Sequence, residues 1–512
     1  MGLASSRTAT VEGVAAHMVT VEANVGPGLP GMQMVGLGDA AVKESRERIR
    51  TAVANSGLPW PRTRIMVSLS PAHLPKAGSH FDLPIALTVL CSLDPEFRSS
   101  LSTTMVMGEL ALDGSLRRVE GILPMLLKAA REREQSESAI ETVIVPRANA
   151  QEAALLNDGN ILVADSLVQV WHWLHGGAAL EQAIRVPASP MAAAAPPDFA
   201  DIAGQAHERR AMEVAAAGGH HVMMVGPPGS GKSMLAERLP SILPPLSVAE
   251  QIETTALHSA AGVSRGSVVK VRPFVAPHPS ISRAGMVGGG SGVPLPGAVS
   301  QAHNGVLFLD EASEIASAVL DELRMPLESG QVTLVRGKRQ IRYPAQFQLV
   351  MAANPCKCGK EGARCTCSGG TRAKHLSNVS GPLRDRLDIF IQTSAQSAVF
   401  SAVEAEPSAV IAERVAAARE RAAARWGRGG LGHVTNALVH PAALRKQFPP
   451  GEDVTAFLES KLVDRSLTQR GVDRVLKLAW TLADLEGEAL PHIGHAAEAF
   501  NLRNVSAEGV AA

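Results

Sequence analysis

A glycine-rich segment, Gly226-Pro-Pro-Gly-Ser-Gly-Lys-Ser233, constrains the fold of this chain more than any other feature. It satisfies the pattern G-x-x-x-x-G-K-[ST], follows the apolar run 222–225 and precedes a periodic segment over 234–239. A buried strand, a phosphate-binding loop and a helix are therefore predicted in that order. The backbone N–H groups of such a loop, and the N-terminus of its helix, surround a polyphosphate. The predicted nucleotide-binding residues are Gly226, Pro227, Pro228, Gly229, Ser230, Gly231, Lys232 and Ser233.

Two later strands are predicted to complete an ATP-hydrolysing site. Lys232 is expected to reach the β- and γ-phosphates, and the Ser233 hydroxyl to take a place on Mg²⁺. The apolar strand 305–309 ends in Asp310, which would hold Mg²⁺ through water, and Glu311, which would orient and deprotonate the attacking water. A second apolar strand, 348–353, ends in Asn354, a candidate sensor of the γ-phosphate. The alternative for Asn354 is an ordinary turn residue before Pro355.

Composition limits the classes of protein that fit. The 512 residues predict about two to four domains. A hydrophobic content of 46% with 19% charged residues excludes global disorder. The formal net charge is zero, so any contact with nucleic acid must come from local basic patches. The apolar stretch 83–93 is too short to cross a bilayer, so no membrane contact and a cytoplasmic location are expected.

Four of the five cysteines form a C-x-C-x₆-C-x-C pattern, at Cys356, Cys358, Cys365 and Cys367. Four thiolates are the ligand set of a structural zinc ion, although the inner spacing is one residue rather than two to four. Structural Zn²⁺ is the preferred interpretation, and free thiols or regulated disulfides are the alternatives. Cys91 lies in an apolar helical segment and is expected in the core.

The predicted organisation is α/β, with four segments. Residues 1–178 read as a compact α/β unit with strands over 10–14 and 17–23 and a helix over 39–55. Residues 179–197, with an alanine run closed by two prolines, are a predicted linker. Residues 198–395 carry the nucleotide motifs, and residues 396–512 are predicted to be mostly helical.

The motifs together resemble a known family. The phosphate loop, the Asp-Glu pair, the Asn sensor and the segment Ser380-Gly-Pro-Leu-Arg-Asp-Arg-Leu-Asp388 are similar to an AAA+ ATPase of the magnesium-chelatase-like group. Segments 272–279, 287–290 and 296–305 resemble the bacterial YifB/ComM family in particular, and the likeness covers nearly the whole chain. It implies an AAA+ P-loop core followed by a C-terminal helical lid.

The resemblance also implies roles for single arginines. Arg386 corresponds to the arginine finger, which a neighbouring subunit supplies, so that hydrolysis requires a homo-oligomer, expected to be a hexameric ring. Arg384 is the second candidate for that role. The amphipathic helix over 466–485 resembles the sensor-2 helix of the family, where Arg470 would touch the nucleotide from the lid and Arg474 is the fallback.

The front segment resembles a different domain. Gly108-Glu-Leu-Ala-Leu-Asp-Gly114, followed by Val119-Glu-Gly121, is similar to the Lon-type protease domain with its ribosomal S5-like (S5 domain 2-like) fold. The likeness places Ile85 where Lon carries its nucleophilic serine and Leu123 where its catalytic lysine is expected. A Ser–Lys dyad needs both the hydroxyl and its base. The front segment is therefore expected to be non-proteolytic.

Residues 332–343 read as a hairpin with Gly337 at its turn. Four cations lie in or beside this turn, and a tip of this kind could follow a phosphate backbone without reading bases; the alternative is a solvated hairpin tip. The cations are Arg336, Lys338, Arg339 and Arg342.

Three functions follow, of which the first is preferred. It is a ring-forming AAA+ motor acting on DNA, which the resemblance likens to ComM, a branch-migration helicase of natural transformation and recombination. The second is a magnesium-chelatase-type ATPase that remodels a protein partner. The third is a regulated ATPase switch whose front domain mainly docks other molecules.

Overall fold

An eight-stranded mixed sheet dominates the first 183 residues. The computed structural model describes residues 2–36, 38, 40–76, 78–134, 140–183, 197–263, 268–290, 294–336, 339–360, 365–394, 405–432 and 434–511. The sheet has the strand order β10-β9-β8-β5-β1-β2-β4-β3. Its strands and the short pair β6–β7 are β1 Gly2–Glu12, β2 Ala15–Gly26, β3 Gly31–Val35, β4 Arg64–Ser70, β5 Thr104–Val106, β6 Glu109–Leu110, β7 Leu116–Arg117, β8 Thr142–Pro146, β9 Ile161–Ala164 and β10 Glu181–Gln182.

Helices cover this front sheet because the sheet and the helices each carry an apolar face. They are α1 Ala40–Asn55, α2 Asp82–Leu93, α3 Arg98–Ser102, α4 Ile122–Glu134, α5 Ala150–Ala153 and α6 Leu167–Leu174. Helix α2 is buried from Asp82 to Ser92, which explains its nearly continuous apolar sequence. One prediction differs from the structure: residues 10–14 do not form a strand throughout. Strand β1 ends at Glu12, because Gly13, at φ +71°, turns the chain into β2.

A second, five-stranded parallel sheet carries the nucleotide motifs. Its order is β12-β15-β18-β11-β19, so β11 lies between β18 and β19. The strands of this segment are β11 Val222–Val225, β12 Phe274–Val275, β13 Gly288–Gly289, β14 Leu295–Pro296, β15 Val306–Leu309, β16 Gln331–Arg336, β17 Arg339–Pro344, β18 Gln348–Ala353 and β19 Ile389–Gln392. Strands β13–β14 and β16–β17 are separate two-stranded hairpins.

The helices of the motif segment are α7 Ala206–Gly218, α8 Lys232–Ile242, α9 Val248–Ala260, α10 Arg283–Val287, α11 Ala298–Gln301, α12 Ser317–Asp321, α13 Arg324–Ser329, α14 Gly369–Leu376 and α15 Gly381–Arg384. The C-terminal part is helical: α16 Ser408–Arg428, α17 Pro441–Lys446, α18 Glu452–Val463, α19 Gln469–Glu486 and α20 Ile493–Ala511. The two sheets and these helices confirm the predicted α/β class. No helix among the described residues combines the length and the apolar character needed to cross a membrane.

The C-terminal helices share one core with the parallel sheet. Trp426 of α16 and Trp480 of α19 are almost fully buried in the cluster that also holds Val222 of β11. The guanidinium of Arg425 lies over both indole rings, 4.4 Å and 4.2 Å from their centroids, and is paired with Asp484 at 2.6 Å. These ring and ion-pair contacts pack α16 against α19. The helices therefore sit directly against the nucleotide-binding sheet.

Candidate nucleotide site

The loop between β11 and α8 holds the lysine of the nucleotide motif. Lys232 is the first residue of α8 and is only 7% exposed. Its Nζ donates to the carbonyl oxygens of Gly226 and Pro227, at 2.7 and 2.8 Å. The same Nζ lies 3.4 Å from Oδ1 of Asn354. The predicted phosphate-binding cation thus lies inside the curve of its own loop.

Two positions of the loop require glycine, one for its backbone conformation and one for lack of space. Gly229 lies at φ +78°, in the left-handed region that side chains rarely adopt. Gly226 needs its missing side chain for space, because a Cβ there would lie 2.0 Å from the Thr393 hydroxyl at the end of β19. Thr393 also shares a 2.6 Å hydrogen bond with Ser230. The loop is therefore shaped by the strand beside it as well as by its own residues.

Gln205 also supports the loop, and sequence reasoning assigned it no role. Its Nε2 donates to the carbonyl oxygen of Ser230 at 2.8 Å, and its side chain is nearly buried. Gln205 adopts φ +50°, an uncommon conformation for a residue other than glycine. In the sequence, its position directly after Gly204 and before helix α7 indicates a turn. Nothing local indicates a contact with a loop more than twenty residues away.

Two oxygen side chains meet beside the lysine. The Ser233 hydroxyl donates to Oδ2 of Asp310 at 2.9 Å, which joins the first turn of α8 to the end of β15. A hydroxyl and a carboxylate are oxygen donors of the kind that Mg²⁺ takes together with water and phosphate oxygens. These two residues fit the predicted Mg²⁺ position.

Glu311 has a strained backbone. Its φ is +47°, and its N–H donates to Oδ1 of Asp310 at 2.8 Å. The side chain is exposed. Left-handed conformations of bulky residues cost free energy and concentrate at functional sites. Both acids lie in the turn that directly follows Leu309, the last residue of β15.

Asn354 lies at the same edge of the sheet. Strand β18 pairs in parallel with both β11 and β15, so the carboxyl ends of the three strands meet. This arrangement brings Asn354 next to Lys232 although 122 residues separate them. A polar side chain here is in reach of the phosphate that Lys232 would bind, as expected of a γ-phosphate sensor.

Arg386 lies in a different cleft. Its guanidinium donates to the Pro382 carbonyl at 2.6 Å and is ion-paired with Glu328. The cleft is lined by Glu328, Asp385, Arg386 and Arg470, and by no residue of the 226–233 loop. Arg384, the second candidate, is the last residue of α15 and is partly exposed.

The two lid arginines have different environments. Arg470, in the first turn of α19, is 80% exposed and 4.0 Å from Asp385. Arg474, one turn later, donates to Oδ1 of the fully buried Asp388 at 2.7 Å. Burial alone would raise the pKa of Asp388, but Arg474 and the adjacent His220 hold it well below its usual range. Both arginines line the cleft, but Arg474 is engaged with the buried Asp388, whereas Arg470 is mostly exposed.

The four clustered cysteines come together in space. Their Sγ atoms all lie within 4.8 Å of one another, with Cys356 buried and the other three partly exposed. Burial raises the pKa of Cys356 to about 12, whereas the backbone N–H of Lys360 and the neighbouring thiol lower that of Cys358 to about 5. Cys91 is fully buried in α2, as expected.

The basic hairpin is formed by β16 and β17, in antiparallel register. Its turn residues, including Lys338, lie outside the described residues, as does the side-chain environment of Arg339. Arg336 and Arg342 are both exposed, but the register places them on opposite faces. The buried face packs Ile341 and Tyr343 against Leu257 of α9 and near Val14, in the turn between β1 and β2. Helix α9 and the β1–β2 turn of the front segment therefore both pack against the base of this hairpin.

Comparison with known proteins identifies the family. Models for magnesium chelatase subunit ChlI match residues 21–149 and 198–399, and a model for its C-terminal part matches residues 405–503. The chain is 38% identical to the competence protein ComM of Haemophilus influenzae over 511 residues, 98% of each chain. It is 38% identical to YifB of Escherichia coli, over 99% of this chain and 98% of YifB.

The chain belongs to the YifB/ComM family of magnesium-chelatase-like proteins. An uncharacterized Mycobacterium tuberculosis protein is 44% identical over 99% of this chain and 100% of its own length. As a YifB/ComM member, the chain is an AAA+-type ATPase whose cofactors are ATP and Mg²⁺.

Proposed function

We propose that this chain is a ring-forming AAA+ motor that uses ATP hydrolysis to move along DNA. The observation that carries the proposal is the separation of the phosphate-binding edge from the cleft that holds Arg386 and Arg470. The residues that would bind phosphate and Mg²⁺ meet at one edge of the parallel sheet, whereas Arg386 and Arg470 line a cleft without loop residues. A catalytic arginine held away from its own phosphate loop acts on the nucleotide of a neighbouring subunit.

The proposed ring supplies Arg386 as the finger and Arg470 as sensor 2. Both guanidinium groups lie in one cleft, so one neighbouring nucleotide could be reached by both. Arg386 is held meanwhile by Glu328, an exposed carboxylate that a phosphate would replace as its partner. A hexamer is the proposed assembly, in line with the oligomers of the AAA+ class.

The other roles in ATP binding and hydrolysis belong to residues of the subunit that binds the nucleotide. Lys232 neutralises the β- and γ-phosphates, and Ser233 and Asp310 hold the Mg²⁺ that ATP brings. Glu311 takes the proton from the attacking water, and Asn354 reports the γ-phosphate through its position beside Lys232. Loss of the γ-phosphate changes what Asn354 contacts at the end of β18, which links hydrolysis to movement of the segment that follows.

DNA is the proposed substrate because of the basic hairpin. Arg336 and Arg342 project from opposite faces near a tip whose base packs against α9 and the β1–β2 turn. Cations on both faces of the hairpin can contact a DNA backbone on either side of it. They neutralise phosphates without reading bases. The full-length similarity to a competence protein favours the same substrate class.

The front sheet is proposed to be a non-proteolytic Lon-like domain, and the C-terminal helices a lid. Ile85 and Leu123 are both fully buried, so neither position could present a catalytic group to a substrate. The division at 179–197 stays a prediction, because residues 184–196 lie outside the described part of the chain.

The test is the ATPase rate with single-stranded, branched and no DNA, at two salt concentrations. We expect DNA to stimulate hydrolysis and the double variant Arg336→Ala/Arg342→Ala to lose that stimulation while keeping its basal rate. For single-stranded DNA, the salt slope of binding should fall by about 0.7 for each phosphate that the variant no longer neutralises. The matched control is Arg428→Ala, an exposed arginine at the end of α16.

A chelatase-type motor acting on a protein partner is the second candidate, favoured by the match to magnesium chelatase subunit models. An ATPase that ignores every DNA form, with equal binding by the hairpin variant and the control, would reject the DNA motor in favour of this candidate.

A further inference from the structure

The cysteine cluster directly abuts the nucleotide-binding loop. Gly359, between the two pairs of cysteines, lies so close to Pro228 that an added Cβ would be 2.9 Å and 3.0 Å from its Cγ and Cδ. On the other side, Asn354 precedes Cys356 by two positions and lies 3.4 Å from Lys232. The segment 354–359 therefore contacts the loop at both of its ends.

We propose that Cys356, Cys358, Cys365 and Cys367 bind one Zn²⁺ and that the metal holds residues 354–359 as a wall of the ATP site. This proposal rests on the proposed ATPase site and adds a second metal to it, with a role different from that of Mg²⁺. Zinc has no redox chemistry of its own, so its contribution here is to fix the path of the chain.

The sulfur geometry fits a single tetrahedral ion. Four sulfurs at about 2.3 Å from zinc form a tetrahedron with edges of about 3.8 Å. The structure has 3.1 Å between Cys356 and Cys358, 3.4 Å between Cys356 and Cys365, and 3.7 Å between Cys358 and Cys365. These separations are far too long for a disulfide, whose sulfurs lie about 2.05 Å apart. A small outward movement of the thiolates would accept the ion.

The metal would hold this wall in place because the cysteine ligands lie only a few positions along the chain from the residues that contact the nucleotide loop. Gly359 adopts φ +70°, and its N–H donates to the carbonyl of Cys356 at 3.0 Å, so the first ligand pair is closed into a tight turn. This turn is the part that touches Pro228. Without the ion, nothing among the described residues crosslinks the two cysteine pairs covalently, and both Pro228 and Asn354 lose a fixed neighbour.

Two measurements test the proposal: zinc per chain by mass spectrometry, and binding of a fluorescent ATP analogue in Mg²⁺. We expect about one zinc per wild-type chain, and its loss in Cys358→Ser/Cys367→Ser. The analogue should bind roughly tenfold more weakly to the zinc-free variant. Cys91→Ser, which removes the cysteine outside the cluster, is the control and should keep both values.

A second variant keeps the test valid if the cysteine variant fails to fold. Gly359→Ala keeps all four ligands but pushes on Pro228 and strains the turn, so it should retain zinc and weaken nucleotide binding, again roughly tenfold. Its matched control is Gly370→Ala, where an added Cβ has nothing within 4 Å.

Wild-type protein without zinc would overturn the metal site. Zinc-loaded protein whose nucleotide affinity is unchanged by zinc removal and by Gly359→Ala would overturn the wall. Wild-type protein that holds zinc but binds no nucleotide would reject the proposed ATP site, and with it the wall, while supporting the metal site.

Discussion

Glu311 offers a test that separates catalysis from stability at one residue. Its left-handed backbone, at φ +47°, costs a residue with a side chain roughly 1–2 kcal/mol. Among the described residues, the Glu311 carboxylate has no hydrogen bond or ion pair, so little is lost when it is removed. Glycine relieves the strain but costs about 0.5–1 kcal/mol through the greater freedom of the unfolded chain.

The net expectation for Glu311→Gly is therefore a gain of up to about 1.5 kcal/mol in the free energy of unfolding. Glu311→Gln keeps the strained backbone and should stay within about 0.5 kcal/mol of the wild type. Both variants should bind ATP and hydrolyse it about 10²- to 10⁴-fold more slowly, because neither can accept the proton from water.

Urea unfolding followed by circular dichroism measures the stabilities, which are compared between proteins whose unfolding free energy depends equally steeply on urea concentration. Phosphate release measures hydrolysis. Arg465→Gly is the control: this exposed residue in the turn before α19 also has a left-handed backbone, at φ +60°, and should gain stability without losing activity. Normal turnover by Glu311→Gln would remove Glu311 from the catalytic role. A Glu311→Gly variant less stable than the wild type would refute the strain argument.

The remaining predictions concern the lysine of the phosphate loop and the arginines of the cleft. Lys232→Ala should lose nucleotide binding and Arg386→Ala should slow hydrolysis by at least about 10³-fold. Mixing the two should restore part of the activity, because some interfaces then join an intact loop to an intact finger. If the mixture stays inactive and Arg384→Ala complements Lys232→Ala instead, the finger is Arg384. Arg474→Ala should lower the free energy of unfolding by about 3 kcal/mol, since it removes the arginine from a fully buried carboxylate and leaves Asp388, among the described residues, with only His220 and the N–H of His221. Arg470→Ala should slow hydrolysis and leave stability nearly unchanged; similar stability losses in both variants would contradict these roles.

The local sequence pattern was sufficient to predict helices and strands that depend on one short segment alone. The helix predicted over 39–55 is found as Ala40–Asn55, and the strand before the phosphate loop as Val222–Val225. Apolar periodicity, a capping residue or a glycine turn acts within a few residues, so these elements could be read directly. The first hairpin was misplaced by a few residues because both flanking strands are β-rich, and only Gly13 marked the turn.

Contacts between distant segments needed the structure. Two arginines lie one turn apart on α19 and both line the cleft, yet Arg474 meets a buried carboxylate and Arg470 is 80% exposed. The cations of the hairpin look like one cluster in sequence, but alternation along a strand places Arg336 and Arg342 on opposite faces.

The amino-acid sequence by itself determined the chemistry of the nucleotide site: which residues can hold phosphate, Mg²⁺ and the attacking water, and which short elements carry them. Only the tertiary structure decided how these groups combine. The parallel order of β15, β18 and β11 brings Asp310, Asn354 and Lys232 to one edge, while Arg386 lies in another cleft. It also places Gly359 against Pro228. The physical reason is that strand order and packing set distances between segments more than a hundred residues apart, and no local pattern encodes those distances.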